Sequence, residues 1–258
     1  APTSMNPGHR ASESLRRIRN QVIVKSNDLI QASDYRLPFQ QYKFAKYCIA
    51  MLTQAGQRRL EIDTREYCRA IGLSLQTVNY RSIQQATLKL PDIRIVSHVD
   101  GMEKRSKIID TVAIHDHHRI DVQLSEEFSS QIFFVPPPYT RYRFVNIAFL
   151  SSYYSIRLYE MCKSWQVRKR FSIRLEDLRA KFMSGEQLAT WQHFKARALL
   201  KPINEINLLT DLVVSIDYNR DRGRGRRLEI IHFHIRSTSP EHRHEAQSHI
   251  QRHIDARY

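Results

Sequence analysis

The chain is poor in cysteine, with three in 258 residues, and poor in glycine and tryptophan, with seven and two. Cys48, Cys68 and Cys162 are far apart, odd in number and form no CxxC pair. No disulfide framework is expected from that pattern, and it suits a reducing compartment. No apolar run approaches the roughly 20 residues of a membrane span. The opening "APTSMNPGHRASESLRR" lacks the apolar centre of a signal peptide. A soluble cytoplasmic protein with no membrane partner is expected. The phosphate-cradling pattern GxxxxGK[ST] is missing, so no nucleotide-driven motor is expected. No nucleophile triad stands out either, and neither catalytic residues nor a cofactor are expected.

Acidic residues are the other shortage. Asp and Glu number 26 against 41 Lys and Arg, a formal charge of +15. At 41% apolar the chain can bury ordinary cores, so the imbalance is a surface property. It points to a polyanionic partner, with nucleic acid ahead of a membrane surface. The excess is uneven: 19 basic against 14 acidic residues up to position 140, and 22 against 12 beyond it.

Residues 1–20 are polar and basic and are expected to form a mobile arm. "QVIVKSNDLIQAS" predicts a strand and a turn. Phe39, Tyr42, Phe44, Ala45, Cys48, Ile49 and Leu52 recur at helical spacing. Asp63 or Thr64 can cap a short helix that Gly72 ends, and Ser74 can cap the next, from Leu75 to about Leu88. Helix, glycine turn and helix match a helix-turn-helix. "IRIVSHV", "IIDTVAIHD" and "RIDVQLS" alternate at period two, with "DGMEKRSK" as a basic loop among them. That order predicts a winged helix. "EEFSSQIFFV" closes it, and the prolines at 136–138 make a stiff break.

The order then repeats. "IAFLSSYYSIRLYEMCKSWQ" predicts one long helix. Ser172 can cap a short helix through Leu175, Leu178 and Phe182, and Gly185 turns the chain. "ATWQHFKARALLKPINEINLL" predicts the next helix, with Phe194, Ala198, Ile203 and Ile206 inward. Pro202 should kink or break it near 198–202. The expected fold is α+β, two tandem winged-helix domains. Residues 21–138 form the first (dimerisation and auxiliary DNA contact), 139–238 the second (main sequence-specific DNA binding), and 239–258 a His-rich tail.

In a helix-turn-helix the second helix enters the major groove. The outward face at 190–208 carries Gln192, His193, Lys195, Ala196, Arg197 and Lys201. Arg197 can take guanine O6 and N7, Gln192 can pair with adenine, and Ala196 can touch a thymine methyl. The bland alternative is a solvated face. The segment "DYNRDRGRGRRLEII" follows, between two alternating strands. Arg220, Arg222, Arg224, Arg226 and Arg227 suit phosphates or a narrow minor groove, and Gly223 and Gly225 permit close approach. A hairpin built only for solubility would usually mix the signs. In the first unit Gln76, Asn79, Arg81 and Gln84, with Arg65, Arg69 and Lys89, suit auxiliary DNA contact. That unit could equally be a dimerisation platform.

Three stretches carry a resemblance. "VIVKSNDLIQASDYRLPFQQYKFAKYCIAML", "YTRYRFVNIAFLSSYYSIRLYEM" and "FKARALLKPINEINLLTDLVVSIDY" resemble the iteron-binding plasmid replication initiators, over most of residues 20–236. "RLYE" and "INEIN" are the most specific parts. The resemblance implies binding of double-stranded DNA at direct repeats of an origin, read mainly by the second domain around His193, Lys195, Arg197 and Lys201. It implies initiating monomers, dimers that repress the initiator's own gene, and recruitment of the host replication initiator and helicase.

Two other readings have motifs of their own. A transcriptional repressor without an initiator role would use the same DNA contacts. A metal-dependent rolling-circle nickase would use "HFH" at 232–234, where residues two apart share a strand face. Its tyrosine helix is missing downstream, and two histidines are an incomplete metal set. "HDHHR" at 115–119 is expected to be a hairpin turn rather than a metal cluster, and no metal site is expected. His249 and His253 could pair on one helix face only if other ligands joined.

Overall fold

A computed structural model describes residues 7–31, 37–99, 102–116, 118–133, 135, 137–182, 188–221 and 228–255. The first unit runs through helix α1 (Pro7–Asn20), strand β1 (Val22–Ser26), helices α2 (Asn27–Gln31) and α3 (Phe39–Ala55), and strand β2 (Arg59–Asp63). Helices α4 (Thr64–Ala70) and α5 (Thr77–Leu88) follow, then β3 (Arg94–Val99), β4 (Met102–Lys107), β5 (Ile109–Ile114), β6 (Arg119–Leu124) and α6 (Glu126–Phe133). The second comprises β7 (Tyr139–Arg143), α7 (Val145–Ala148), α8 (Tyr153–Ser164), β8 (Arg170–Arg174) and α9 (Leu175–Phe182). It continues with α10 (Trp191–Phe194), a π-helical stretch (Lys195–Leu200), α11 (Lys201–Leu209), β9 (Leu212–Asp221), β10 (Leu228–Ser237) and α12 (Pro240–Asp255).

The repeat is visible in the sheets. In the first unit the order is β2-β6-β5, in the second β8-β10-β9. Each time the strand before the helix-turn-helix pairs with the last strand of the following hairpin. These are two winged helices in tandem. Strand β7 pairs antiparallel with β1, Val24 facing Arg141, so the chain entering the second unit is stitched to the start of the first.

Helix α8 packs against both units, touching α2 of the first and β7 and α11 of the second. Its Glu160 is fully buried and takes Lys25 Nζ at 3.1 Å, Lys46 Nζ at 2.6 Å and the Tyr42 hydroxyl at 2.9 Å. The Tyr142 hydroxyl donates to the same carboxylate. Burial alone would push this carboxyl up, but Lys25 and Lys46 hold it well below the usual carboxylate range. Burial pushes Lys25 the other way, below its ordinary value. A buried ion is tolerated only when paired and hydrogen-bonded, and "RLYE" meets that requirement with donors from β1, α3 and β7.

Several local expectations need correction. The segment expected as a mobile arm is helical from Pro7. Ile18 is buried, Ser14 bonds Glu66 at 2.8 Å, and Arg19 donates to the Arg69 carbonyl at 3.1 Å. Ser74 does not stand at the start of a helix; α5 begins at Thr77 behind Gln76, because residues 73–76 leave the turn at Gly72 without helical geometry. Most of the "basic loop" is strand β4, paired with β3 from Arg94–Lys107 to Val99–Met102. The long helix at 147–166 is two helices. Ser152 is extended and its hydroxyl accepts from the Ser155 N–H, which restarts the chain as α8. Ser172 lies within β8, where Phe171 turns inward and stacks on Phe233 at 4.6 Å, so α9 starts only at Leu175. Gly185 lies outside the described residues.

Candidate nucleic-acid interface

Thr190 caps α10, its hydroxyl accepting from the His193 N–H at 3.3 Å. This satisfies a donor that a helix start otherwise leaves open. Phe194, Ala198, Leu199, Ile203 and Ile206 are buried, as a 3.6-residue period requires of an inward stripe. Burying a side chain such as Phe194 contributes about 1.5–3 kcal/mol. The Arg179 guanidinium also sits 4.5 Å from the centre of its ring.

The opposite face is open. Gln192, His193, Ala196, Arg197 and Lys201 are exposed. Lys195 is half-buried and already engaged: its Nζ lies 2.9 Å from the Tyr218 hydroxyl and 4.8 Å from the Tyr218 ring centre. Lys195 is thus tied to the hairpin while its neighbours face solvent.

Pro202 does not break the helix. A proline ring collides with the carbonyl four residues back and offers no N–H to it. Here the preceding turn widens instead, and the Lys201 N–H reaches Ala196, five residues back. Backbone angles stay helical at Phe194, Leu200 and Lys201. Such π turns are rare and are enriched at functional sites.

Three contacts fix the hairpin beside this helix. Besides Lys195, Trp191 meets Tyr218 edge to face at 5.4 Å. Asn207 clamps β9 by both backbone groups of one residue, donating to the Val214 carbonyl at 2.9 Å and accepting the Val214 N–H at 2.6 Å. Sequence reasoning missed Trp191, Asn207 and Tyr218. For Asn207 the signal was "INEIN" itself, a polar residue recurring on a helix that ends in a strand. Strands β9 and β10 pair from Leu212–Ser237 to Asp221–Leu228, with Arg220 opposite Glu229. Arg222, Arg224, Arg226 and Arg227 lie outside the described residues.

In the first unit Arg81 and Lys89 are exposed on and just after α5, and Gln76 is exposed at its start. Asn79 is in α5, with its side chain outside the described residues. Arg65 is spent on the Asp63 cap at 2.7 Å, and Arg69 is half-buried with its carbonyl taken by Arg19. Gln84 donates to the Asp116 carbonyl at 3.0 Å, bracing the hairpin turn. This face is more internally committed than the one at 192–201.

At that turn Asp116 accepts the N–H of His118 at 2.7 Å and of Arg119 at 2.8 Å. "HDHHR" is a carboxylate-closed turn between β5 and β6. Among the described residues no three His, Cys, Asp or Glu side chains are placed to hold a metal ion. The "HFH" histidines are taken separately, His232 by the Ser172 hydroxyl at 2.7 Å and His234 by Asp217 at 3.0 Å. No described helix is long and apolar enough to cross a membrane.

Among curated proteins nothing matches the chain. Among solved structures the chain is similar to the Pi initiator protein in complex with iteron DNA, with a TM-score of 0.69 at 17% identity, covering 86% of this chain and 99% of that one. Domains 2 and 3 of RctB align at a TM-score of 0.46 and 13% identity, over 77% of this chain and 81% of that one. The family model "Initiator Replication protein, WH1" matches residues 22–163, more than half of the chain, and "Initiator Rep protein, WH2" matches residues 174–235. The chain belongs to the initiator replication protein family.

Proposed function

We propose that this protein starts plasmid replication by binding direct repeats in double-stranded origin DNA. The carrying observation is the open face of Gln192, His193, Ala196 and Arg197, held beside the arginine-rich hairpin through Lys195 and Tyr218. Bases are read from the helix, and phosphates are held by Arg220, Arg222, Arg224, Arg226 and Arg227. Arg81, Lys89 and Gln76 of the first unit add auxiliary contacts. The Pi initiator, whose fold this chain shares, was solved with iteron DNA, which supports the reading.

The protein acts by assembly rather than chemistry. Several copies on tandem repeats strain adjacent DNA, and the host initiator and helicase load there. A dimer formed through the first unit (residues 21–138) represses the protein's own gene, while the second (139–238) carries the sequence readout. Footprinting on DNA flanking that gene tests this. Regular protected blocks, one helical turn or a multiple apart, are expected. A lone inverted site would replace this reading with a repressor. A covalent protein–DNA adduct formed on single-stranded DNA with Mg²⁺ or Mn²⁺ would replace it with a nickase.

A further inference from the structure

The seam between the two units is not closed throughout. A cavity of about 390 Å³ lies where β1 and β7 meet the end of α8, the turn from α11 into β9, and α12. Its size falls within the roughly 300–1,000 Å³ of small-molecule sites. Strand alternation explains which side chains face it. Ile23 and its cross-strand partner Tyr142 turn into the core, so Val22 and its partner Arg143 take the other face, and Arg141 shares it. Val22, Arg141 and Arg143 all line the cavity.

The walls divide by chemistry. Val22, Leu209, Ala246 and Ile250 supply an aliphatic side, and Arg141, Arg143 and Lys163 a cationic one. Asp211 is the one carboxylate in the lining among the described residues, and it is already committed. It accepts the Tyr159 hydroxyl at 2.9 Å and Lys163 Nζ at 2.6 Å. Arg141 and Arg143 are exposed and make no ion pair among the described residues. Two guanidinium groups on one strand face, without a counter-charge, suit a phosphate dianion, which arginine's planar fork binds with paired hydrogen bonds. A bare phosphate would leave the aliphatic side uncovered. Asn146, also in the lining, brings an amide that can both donate and accept, as the edge of a nucleobase requires. No described residue of 192–201, of β9 or of β10 lines the cavity.

We propose that this cavity binds a mononucleotide, with its phosphate on Arg141 and Arg143 and its base against Val22, Leu209, Ala246 and Ile250. The inference goes beyond the DNA reading above and does not rest on it. A nucleotide held there touches β1 of the first unit and α11 and α12 of the second, so its binding stabilises their docked arrangement by linkage.

The test is a calorimetric and thermal-shift titration of the full chain with AMP, GMP, CMP and UMP. Adenosine and inorganic phosphate at matched ionic strength serve as the two halves of the ligand. At least one mononucleotide should bind and raise the melting temperature with its concentration. Nucleoside and phosphate alone should each bind at least about tenfold more weakly. Arg141→Gln with Arg143→Gln should raise the Kd for that nucleotide by about tenfold. Both side chains are exposed, so the unliganded melting temperature should change little. Arg197→Ala, on the helix proposed to meet DNA, should leave nucleotide affinity unchanged. Failure of all four nucleotides to bind would overturn the proposal. Binding that survives the double substitution, or that is lost with Arg197→Ala, would do the same, since the nucleotide would then sit elsewhere. Phosphate that binds as tightly as the nucleotides would leave an adventitious ion only and would equally overturn it. None of these outcomes bears on the footprint expected on DNA, so the two readings fail separately.

Discussion

Lys195 of the helix at 191–209 places its Nζ 2.9 Å from the Tyr218 hydroxyl on β9, with the ammonium over the face of the same ring. Trp191 closes on that ring from one turn earlier. This helix and the hairpin therefore act as one piece. Tyr218→Ala removes an aromatic pair worth about 0.5–1.5 kcal/mol and a cation–π contact worth about 0.5–1 kcal/mol. We predict a stability loss of about 1–2 kcal/mol in urea titrations. Duplex affinity should fall as well, since the hairpin is no longer registered on the helix.

Arg197 and the hairpin arginines should fail differently. Arg197→Ala should cost about 1–3 kcal/mol against particular base pairs and little elsewhere. Arg224→Ala should weaken all duplexes alike and reduce the slope of log affinity against log salt by about one. Titrations on specific and random duplexes at several salt concentrations separate the two.

Pro202 holds the wide turn that sets how Gln192 and Arg197 face outward relative to Lys201. Pro202→Ala restores a backbone donor and lets residues 195–200 close to a regular α-helix. The expected outcome is an unchanged or higher melting temperature with weaker duplex binding, because the outward face turns against the clamped hairpin. Equal binding would show that the π turn has no bearing on the interface.

Glu160 is the acid on which Lys25 and Lys46 depend. Glu160→Gln leaves two buried ammonium groups without their counter-charge, and breaking such a pair costs about 3–5 kcal/mol. Denaturant unfolding should show a large loss, accompanied by looser attachment of β1 to α8 in hydrogen exchange.

Asp116 gives a pH prediction. The backbone N–H of His118, then the Arg119 guanidinium, hold its carboxyl at about 2. An unfolded Asp titrates near 3.9, so roughly that value marks the upper end of the window. A group depressed on folding adds stability above its unfolded value and loses it as pH falls towards its folded one. The stability gap between wild type and Asp116→Asn should be full above about pH 4 and shrink towards pH 2 in urea midpoints.

What the sequence made legible was chiefly burial. Phe194, Ala198, Ile203 and Ile206 announce the inward face by period alone, and the outward residues follow from it. The architecture was legible because helix, turn and alternating strands recur in order. Strand β4 was not, since "MEKRSK" has no apolar alternation and becomes a strand only by pairing with β3. Helix α1 rests on few anchors, Ile18 foremost, too sparse a pattern to read. The Glu160 cluster joins residues 114 and 135 positions apart, a relation set by tertiary packing alone. Ser172 had the chemistry of a cap, but the Phe171 and Ile173 alternation around it made a strand.

The most direct measurement uses a tethered hydroxyl-radical source. Cys48, Cys68 and Cys162 are buried, and burial pushes their thiols up, so they react poorly. Ala196→Cys therefore offers one exposed attachment point. Bound to DNA flanking the protein's own gene, the tethered protein should cut at evenly repeated positions with the pattern of a major-groove source. Cutting from Lys89→Cys with none from Ala196→Cys would contradict the assignment of the second unit as the reader.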